Sequence, residues 1–253
     1  MKFVALTIGL LSSLAWAAPL SPVARGVIPV DVRQVISIDY NMLRNFTSAM
    51  ALKTQVLPDN LKQFESALKK VGVNPGSDLD NLTFASFDDH SDKHLPHLVA
   101  VASGNFSSIG IVTHLPLQKL SPYKYHSYDL YSVSDALALT FLERDTMLLG
   151  DAAGIKTMLD FRDGHNPTID TNRDFNEAMR PIEKATVWSV LDRIGTQRLL
   201  LSVLGDDPKL VSLPSIQERI FGSYFRMNFR GGIRFDMDVL TFDTPLRRRL
   251  HLC

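Results

Sequence analysis

Residues 223 to 243 read SYFRMNFRGGIRFDMDVLTFD, and two runs of alternating apolar residues imply that the stretch folds back on itself. Phe225, Met227 and Phe229 alternate in the first run, and Ile233, Phe235, Met237 and Val239 in the second. Side chains of a strand change face at every residue, so residues opposed across an antiparallel pair share one side of the sheet. Setting Phe229 against Ile233 therefore fixes the register. It leaves Arg230, Gly231 and Gly232 as a three-residue loop with glycine available for positive φ. The polar positions then pair as Asn228 with Arg234, Arg226 with Asp236, and Tyr224 with Asp238. Asp236 and Asp238 look like paired catalytic carboxylates, but alternation already accounts for both. The expectation is a solvated face with an Arg226–Asp236 ion pair contributing about 0.2–1 kcal/mol.

Working outward, ATVWSVLD (185–192) is a hydrophobic strand ending in an acidic residue, followed by helical segments around RLLLSVLG and PSIQERIFG. VRQVISIDY (32–40) has the same form. The helical stripe of Met42, Phe46, Ala49 and Met50 follows it, and Pro58 interrupts that pattern. Asp59 is placed to cap a second helix, DNLKQFESALKKVG, whose Leu61, Phe64, Leu68 and Val71 share one face and whose Gly72 suits the C-terminal stop. Strands are expected over 82–87 and 98–103, and a helix in ASGNFSSIGIVTHL.

The middle of the chain repeats the strand, strand, helix order. KYHSYDLYSV reads as one strand. LALTFLE and TMLLG join at Arg144 and Asp145, and Gly150 leads into the helix DAAGIKTMLDFRDG with Asp151 as N-cap. Leu139, Phe141, Met147 and Leu149 are apolar, and so are Leu142 and Leu148 on the opposite face, as in strands covered on both sides. A helix over 172–184 is weakened by Pro181.

These elements define an α+β fold class: a mixed, mainly antiparallel sheet with packed helices. The β-α-α-β-β-α order over about 32–115 begins again over 185–242, which reads as a degenerate internal duplication within a single domain spanning 18–253. The second copy lacks its closing helix, because the chain ends in DTPLRRRLHLC. The expectation is a C-terminus that is incomplete, or a reading frame altered near Thr244.

Composition places limits on function. A hydrophobic fraction of 45% with 21% charged residues is that of a globular protein, not of a disordered chain. MKFVALTIGLLSSLAWAAP carries Lys2, an apolar run from Phe3 to Leu14, and Ala15 and Ala17 around a cleavage point, so residues 1–17 read as a signal peptide. Export to the periplasm or the extracellular space follows, with no stable membrane insertion after cleavage. Removing this leader, with Lys2, leaves a net charge of about −1, and no global field attracts nucleic acid. The basic run Arg247–Arg249 reads as a solvated tail. Cys253 is the one cysteine, which excludes an intramolecular disulfide and a cysteine zinc site.

PDNLKQFESALKKVGVNPGSDLDNLTFASF, with TVWSVLDRIGTQ and FGSYFRMNFRGGIRFDMDV, resembles segments of a group of bacterial exported proteins of unassigned function. The resemblance covers Ile28 to Phe242. It implies export and a shared fold, and it transfers no catalytic residue.

FDDHSDKHLPH (87–97) is the densest chemical signal, with three of the seven histidines. His90, His94 and His97 with Asp89, or with Asp88 or Asp92, offer the atom types that bind zinc or copper. His90 and His94 would converge on a helix, but Pro96 and the flanking strands make this a hairpin loop, and His97 belongs equally well to the next strand. GDAAG lacks the phosphate-loop lysine, and G-x-S-x-G and H-E-x-x-H do not occur. His114, His126 and His165 are scattered. The leading expectation is thus a non-catalytic domain binding an envelope or extracellular partner through a sheet edge or helix face. The alternative is a metal-assisted hydrolase built on the histidine loop.

Overall fold

The computed structural model describes residues 19–46, 59–88, 96–115, 121–164, 166–204, 218–229 and 232–241. Its strands are β1 (Gln34–Asp39), β2 (Leu79–Phe87), β3 (His97–Gly104), β4 (Pro122–Tyr125), β5 (Tyr128–Ser132), β6 (Ala138–Glu143), β7 (Thr146–Gly150), β8 (Val187–Asp192), β9 (Ile220–Asn228) and β10 (Arg234–Thr241). They form one ten-stranded sheet in the order β10-β9-β8-β1-β2-β3-β7-β6-β5-β4. Every pair is antiparallel. The α+β class read from the sequence is therefore the architecture observed. β1 and β8 lie side by side, with β2 then β3 beyond β1 and β9 then β10 beyond β8.

The helices are α1 (Pro22–Arg25), α2 (Tyr40–Leu43), α3 (Asp59–Lys70), α4 (Ser108–His114), α5 (Ala152–Asp163), α6 (Arg173–Met179) and α7 (Arg193–Leu204). Three of them start at an aspartate that ends a strand or directly follows it. Asp39, Asp151 and Asp192 accept the backbone N–H of Met42, Gly154 and Gly195 at 2.8, 2.7 and 2.6 Å. Each carboxylate satisfies a donor that the first helical turn cannot pair internally. Glycine at the third position after the cap matters for space: a Cβ on Gly195 would stand 2.5 Å from the Arg33 carbonyl oxygen.

Both faces of the sheet are buried. Val35, Ala85, Val99, Leu148 and Trp188 meet α5, α6 and the α1 region through Ile155, Met158, Phe175 and Ile28. Ile38, Phe84, Ala100, Met147 and Leu149 meet α2, α3 and α4 through Leu43, Phe64, Leu68 and Ile111. All five residues of β7 are buried, as its two-sided apolar sequence predicts.

Some expectations need correction. KYHSYDLYSV is not one strand but the β4–β5 hairpin, turned at His126 with φ of 51°. The helix expected from Asn172 stops at Met179, because Pro181 cannot continue it. In PSIQERIFG, residues from Ile220 onward pair as strand β9. Of the helix expected over 41–56, the described residues show only the short α2, and 47–56 lie outside them. The signal peptide and the C-terminal DTPLRRRLHLC also lie outside.

Candidate functional site

The histidine loop leaves the sheet where expected, between β2 and β3, with Phe87 opposite His97. Asp89, His90, Asp92 and His94 lie outside the described residues, so of the proposed metal ligands His90, His94, His97 and Asp89 only His97 can be placed. His97 opens β3, and its Nδ1 lies 2.7 Å from Oδ1 of Asp151, with its ring 5.5 Å from that of Phe87. A carboxylate on one imidazole nitrogen is how proteins orient catalytic and metal-binding histidines. Asp151, however, also caps α5 through Gly154 and accepts the Leu98 N–H at 3.3 Å. The pair therefore ties β3 to α5. Among the described residues, no group of three or more His, Cys, Asp or Glu side chains is placed to hold a metal ion.

Beside it runs a row of charges across the same end of the sheet. Arg33, just before β1, donates from Nε to Asp88 at 3.0 Å and from Nη1 to Asp192 at 2.8 Å, while Arg198 of α7 donates to Asp88 at 3.2 Å. Burial pulls the Arg33 guanidinium down, but the hydrogen bonds to Asp192 and Asp88 outweigh it and hold it above its ordinary value. Burial likewise pushes Asp88 up, and its bonds from Arg33 and Arg198 outweigh that and hold it below the usual carboxylate range. The row neutralises itself and joins β1, β2, β8 and α7. Asp88 thus belongs to this network. Sequence spacing could not reveal it, because its members stand 55 to 159 residues apart.

The β9–β10 hairpin follows the register set by alternation, with Asn228 opposite Arg234, Arg226 opposite Asp236 and Tyr224 opposite Asp238. Gly232 takes φ of 126°. The polar face, however, is not simply solvated. Asp236 is only 5% exposed and accepts Nε of Arg226 at 3.0 Å, with Arg234 Nε 3.4 Å away. On the same face, Arg226 Nη1 also reaches the Pro181 carbonyl, in the turn after α6, at 3.3 Å. Asp238, one pleat further on, has an Oδ1 that is buried and has no hydrogen-bond partner among the described residues.

A cleft of about 350 Å³ opens nearby, walled by Phe175, Ala178, Val190 and Leu240, with Asp174 and Arg193 also lining it. It lies between α6 and the β8–β10 side of the sheet. Its size and apolar walls would suit a small group or a single side chain.

The two ends of the sheet differ. β4 is four residues long and contains Pro122, which has no N–H to offer, and Lys124. β10 is eight residues long, and among the described residues no strand pairs with its outer side. Short length, proline and lysine are the usual means of closing an edge to further pairing. The β10 edge lacks proline and is long enough to take another strand.

No protein-family model matches the chain, and no curated protein matches it by sequence. Among solved structures, crystal form III of TP0453, a Treponema protein, aligns with a TM-score of 0.55 at 10% identity, covering 91% of this chain and 82% of that one. Crystal form I of TP0453 aligns with a TM-score of 0.51 at 13% identity, covering 90% and 82%. At such identity the likeness establishes a shared fold alone.

Proposed function

We propose that this chain is an exported, non-catalytic binding or interaction domain of the cell envelope or extracellular space, which engages its partner through the β10 edge of its sheet. The observation that carries this reading is the contrast between the two sheet ends: β4 is short and proline-blocked, and β10 is long and open on its outer side among the described residues. Strand addition at an open edge supplies affinity from main-chain hydrogen bonds and specificity from alternate side chains. The leader at residues 1–17 supports export. No helix among the described residues is long and apolar enough to cross a membrane, which says nothing of strands.

Two measurements test this. N-terminal sequencing of the chain from an exporting cell should begin at Ala18, and an intact Met1 on a retained chain would remove the export half of the proposal. A photo-crosslinking residue at Val239 on β10 should give one discrete adduct in the exported compartment, while the same residue at Tyr123 on β4 should give none. Equal labelling from both edges, or none from Val239, would remove the binding half.

The second reading is a metal-assisted hydrolase using His90, His94, His97 and Asp89 with zinc or copper. The carboxylate on His97 Nδ1 is the observation in its favour. Zinc and copper titration of the chain, beside a variant with all three histidines changed to alanine, separates the two readings. Stoichiometric micromolar binding that disappears in the variant would put the hydrolase first.

A further inference from the structure

Resting on the β10 reading, we infer that the edge takes an extended partner segment in which basic and apolar residues alternate. The two faces of β10 have different chemistry. Asp236 and Asp238 point to one face, opposite Arg226 and Tyr224, and Phe235, Met237 and Val239 point to the other, opposite Met227, Phe225 and Ser223. All five lie at the sheet edge, and the three apolar ones are half-buried. An added strand places each side chain beside one of these and on the same face. Its residues next to Asp236 and Asp238 meet carboxylates, and those next to Phe235, Met237 and Val239 meet apolar surface.

Charge complementarity decides the basic class. Asp236 already engages Arg226 and Arg234 through its Oδ2, whereas the buried Oδ1 of Asp238 has no hydrogen-bond partner among the described residues. A lysine or arginine on the incoming strand supplies the donor that this oxygen lacks. An acidic residue there would face two carboxylates, and like charges directly opposite one another destabilise a strand pair.

The same reasoning excludes a second copy of this chain. Antiparallel self-pairing with the most overlap centres on Met237 or on Asp238. The first register sets Asp236 against Asp238 of the other copy, and the second sets Asp238 against itself. Each opposes carboxylate to carboxylate.

The test uses the full chain and two labelled nine-residue peptides, one alternating lysine with valine and one alternating glutamate with valine. The lysine peptide should bind saturably and at least about tenfold more tightly than the glutamate peptide, with affinity falling as salt rises. Amides of β10 should gain protection from hydrogen exchange while those of β4 do not. Asp238→Lys should weaken the lysine peptide at least about fivefold and strengthen the glutamate peptide. Asp238→Asn provides the milder change if the reversal perturbs folding, and Lys124→Glu on β4 should leave binding unchanged.

Equal affinity for the two peptides, or protection away from β10, would overturn the inference. So would binding that emerges only after Arg247, Arg248 and Arg249 are changed to serine, since the chain's own basic run would then be the occupant. If peptide discrimination fails while the Val239 crosslink persists, the edge stands and its assigned chemistry falls. Loss of both removes the edge reading itself.

Discussion

β3 and β10 each lie two strands out from the adjacent β1–β8 pair, yet their sequences share almost nothing. β3 reads HLVAVASG and has β2 on one side and β7 on the other. Val99, Ala100, Val101 and Ala102 are each at most 3% exposed. β10 reads RFDMDVLT, pairs on one side only among the described residues, and carries alternating charge. A strand's composition thus reports its place in the sheet. Interior positions are mostly apolar on both faces, and an edge position tolerates charge because part of each side chain reaches water.

That contrast breaks most sharply at Gly104. A Cβ there would lie 2.0 Å from the Asp78 carbonyl oxygen and 2.8 Å from Leu79 Cα, both backbone atoms that cannot swing aside. Gly104→Ala should cost more than about 3 kcal/mol, read as the shift in urea unfolding. A cost within 0.5 kcal/mol, a surface-like value, would contradict the tight β2–β3 packing. Next in size, Leu148→Ala in β7, the fully buried neighbour of β3, should cost about 2–5 kcal/mol. Met237→Ala on β10, half-buried, should cost about 1 kcal/mol or less. If the two truncations cost the same, β10 is as enclosed as the interior.

Asp236→Ala tests whether the hairpin face is truly covered. It leaves Arg226 and Arg234 without their shared acceptor, and because both arginines keep some contact with water the loss should be about 1–2 kcal/mol. A solvated pair would show about 0–1 kcal/mol, the value expected from sequence.

The smallest effect concerns pH. Asp88 titrates below an ordinary aspartate, so its bonds to Arg33 and Arg198 stabilise the fold fully above the unfolded value of about 4. That contribution is lost as pH falls through the depressed folded value. The stability gap between the natural chain and Asp88→Asn should accordingly be constant near neutrality and close below about pH 4. A gap that widened on acidification would reverse the assignment.

Much of this was legible in the chain itself, for local reasons. Alternation placed Arg226 opposite Asp236 because the period of two keeps Phe225, Met227, Phe235 and Met237 on one side and the three-residue loop from Arg230 to Gly232 sets Phe229 against Ile233. Asp151 was readable as an N-cap because capping is a contact across three residues. The candidate site was less legible. His90 and His94 were chosen for residue type, and residue type does not specify where side chains converge. The partner of His97 lies 54 residues away and that of Arg33 in β8 lies 159 away, distances over which no spacing rule operates.

The sequence by itself determined the α+β class, most of the strands, the register of the β9–β10 hairpin and the start of α5 at Asp151, since each depends on contacts among near neighbours in the chain. Only the tertiary structure decided that β1 lies against β8, that Asp236 is buried, that Arg33 gathers Asp88 and Asp192, and that β4 and β10 form the two unlike ends of the sheet among the described residues. These depend on which elements meet after folding, where burial and pairing are set by packing across the whole domain.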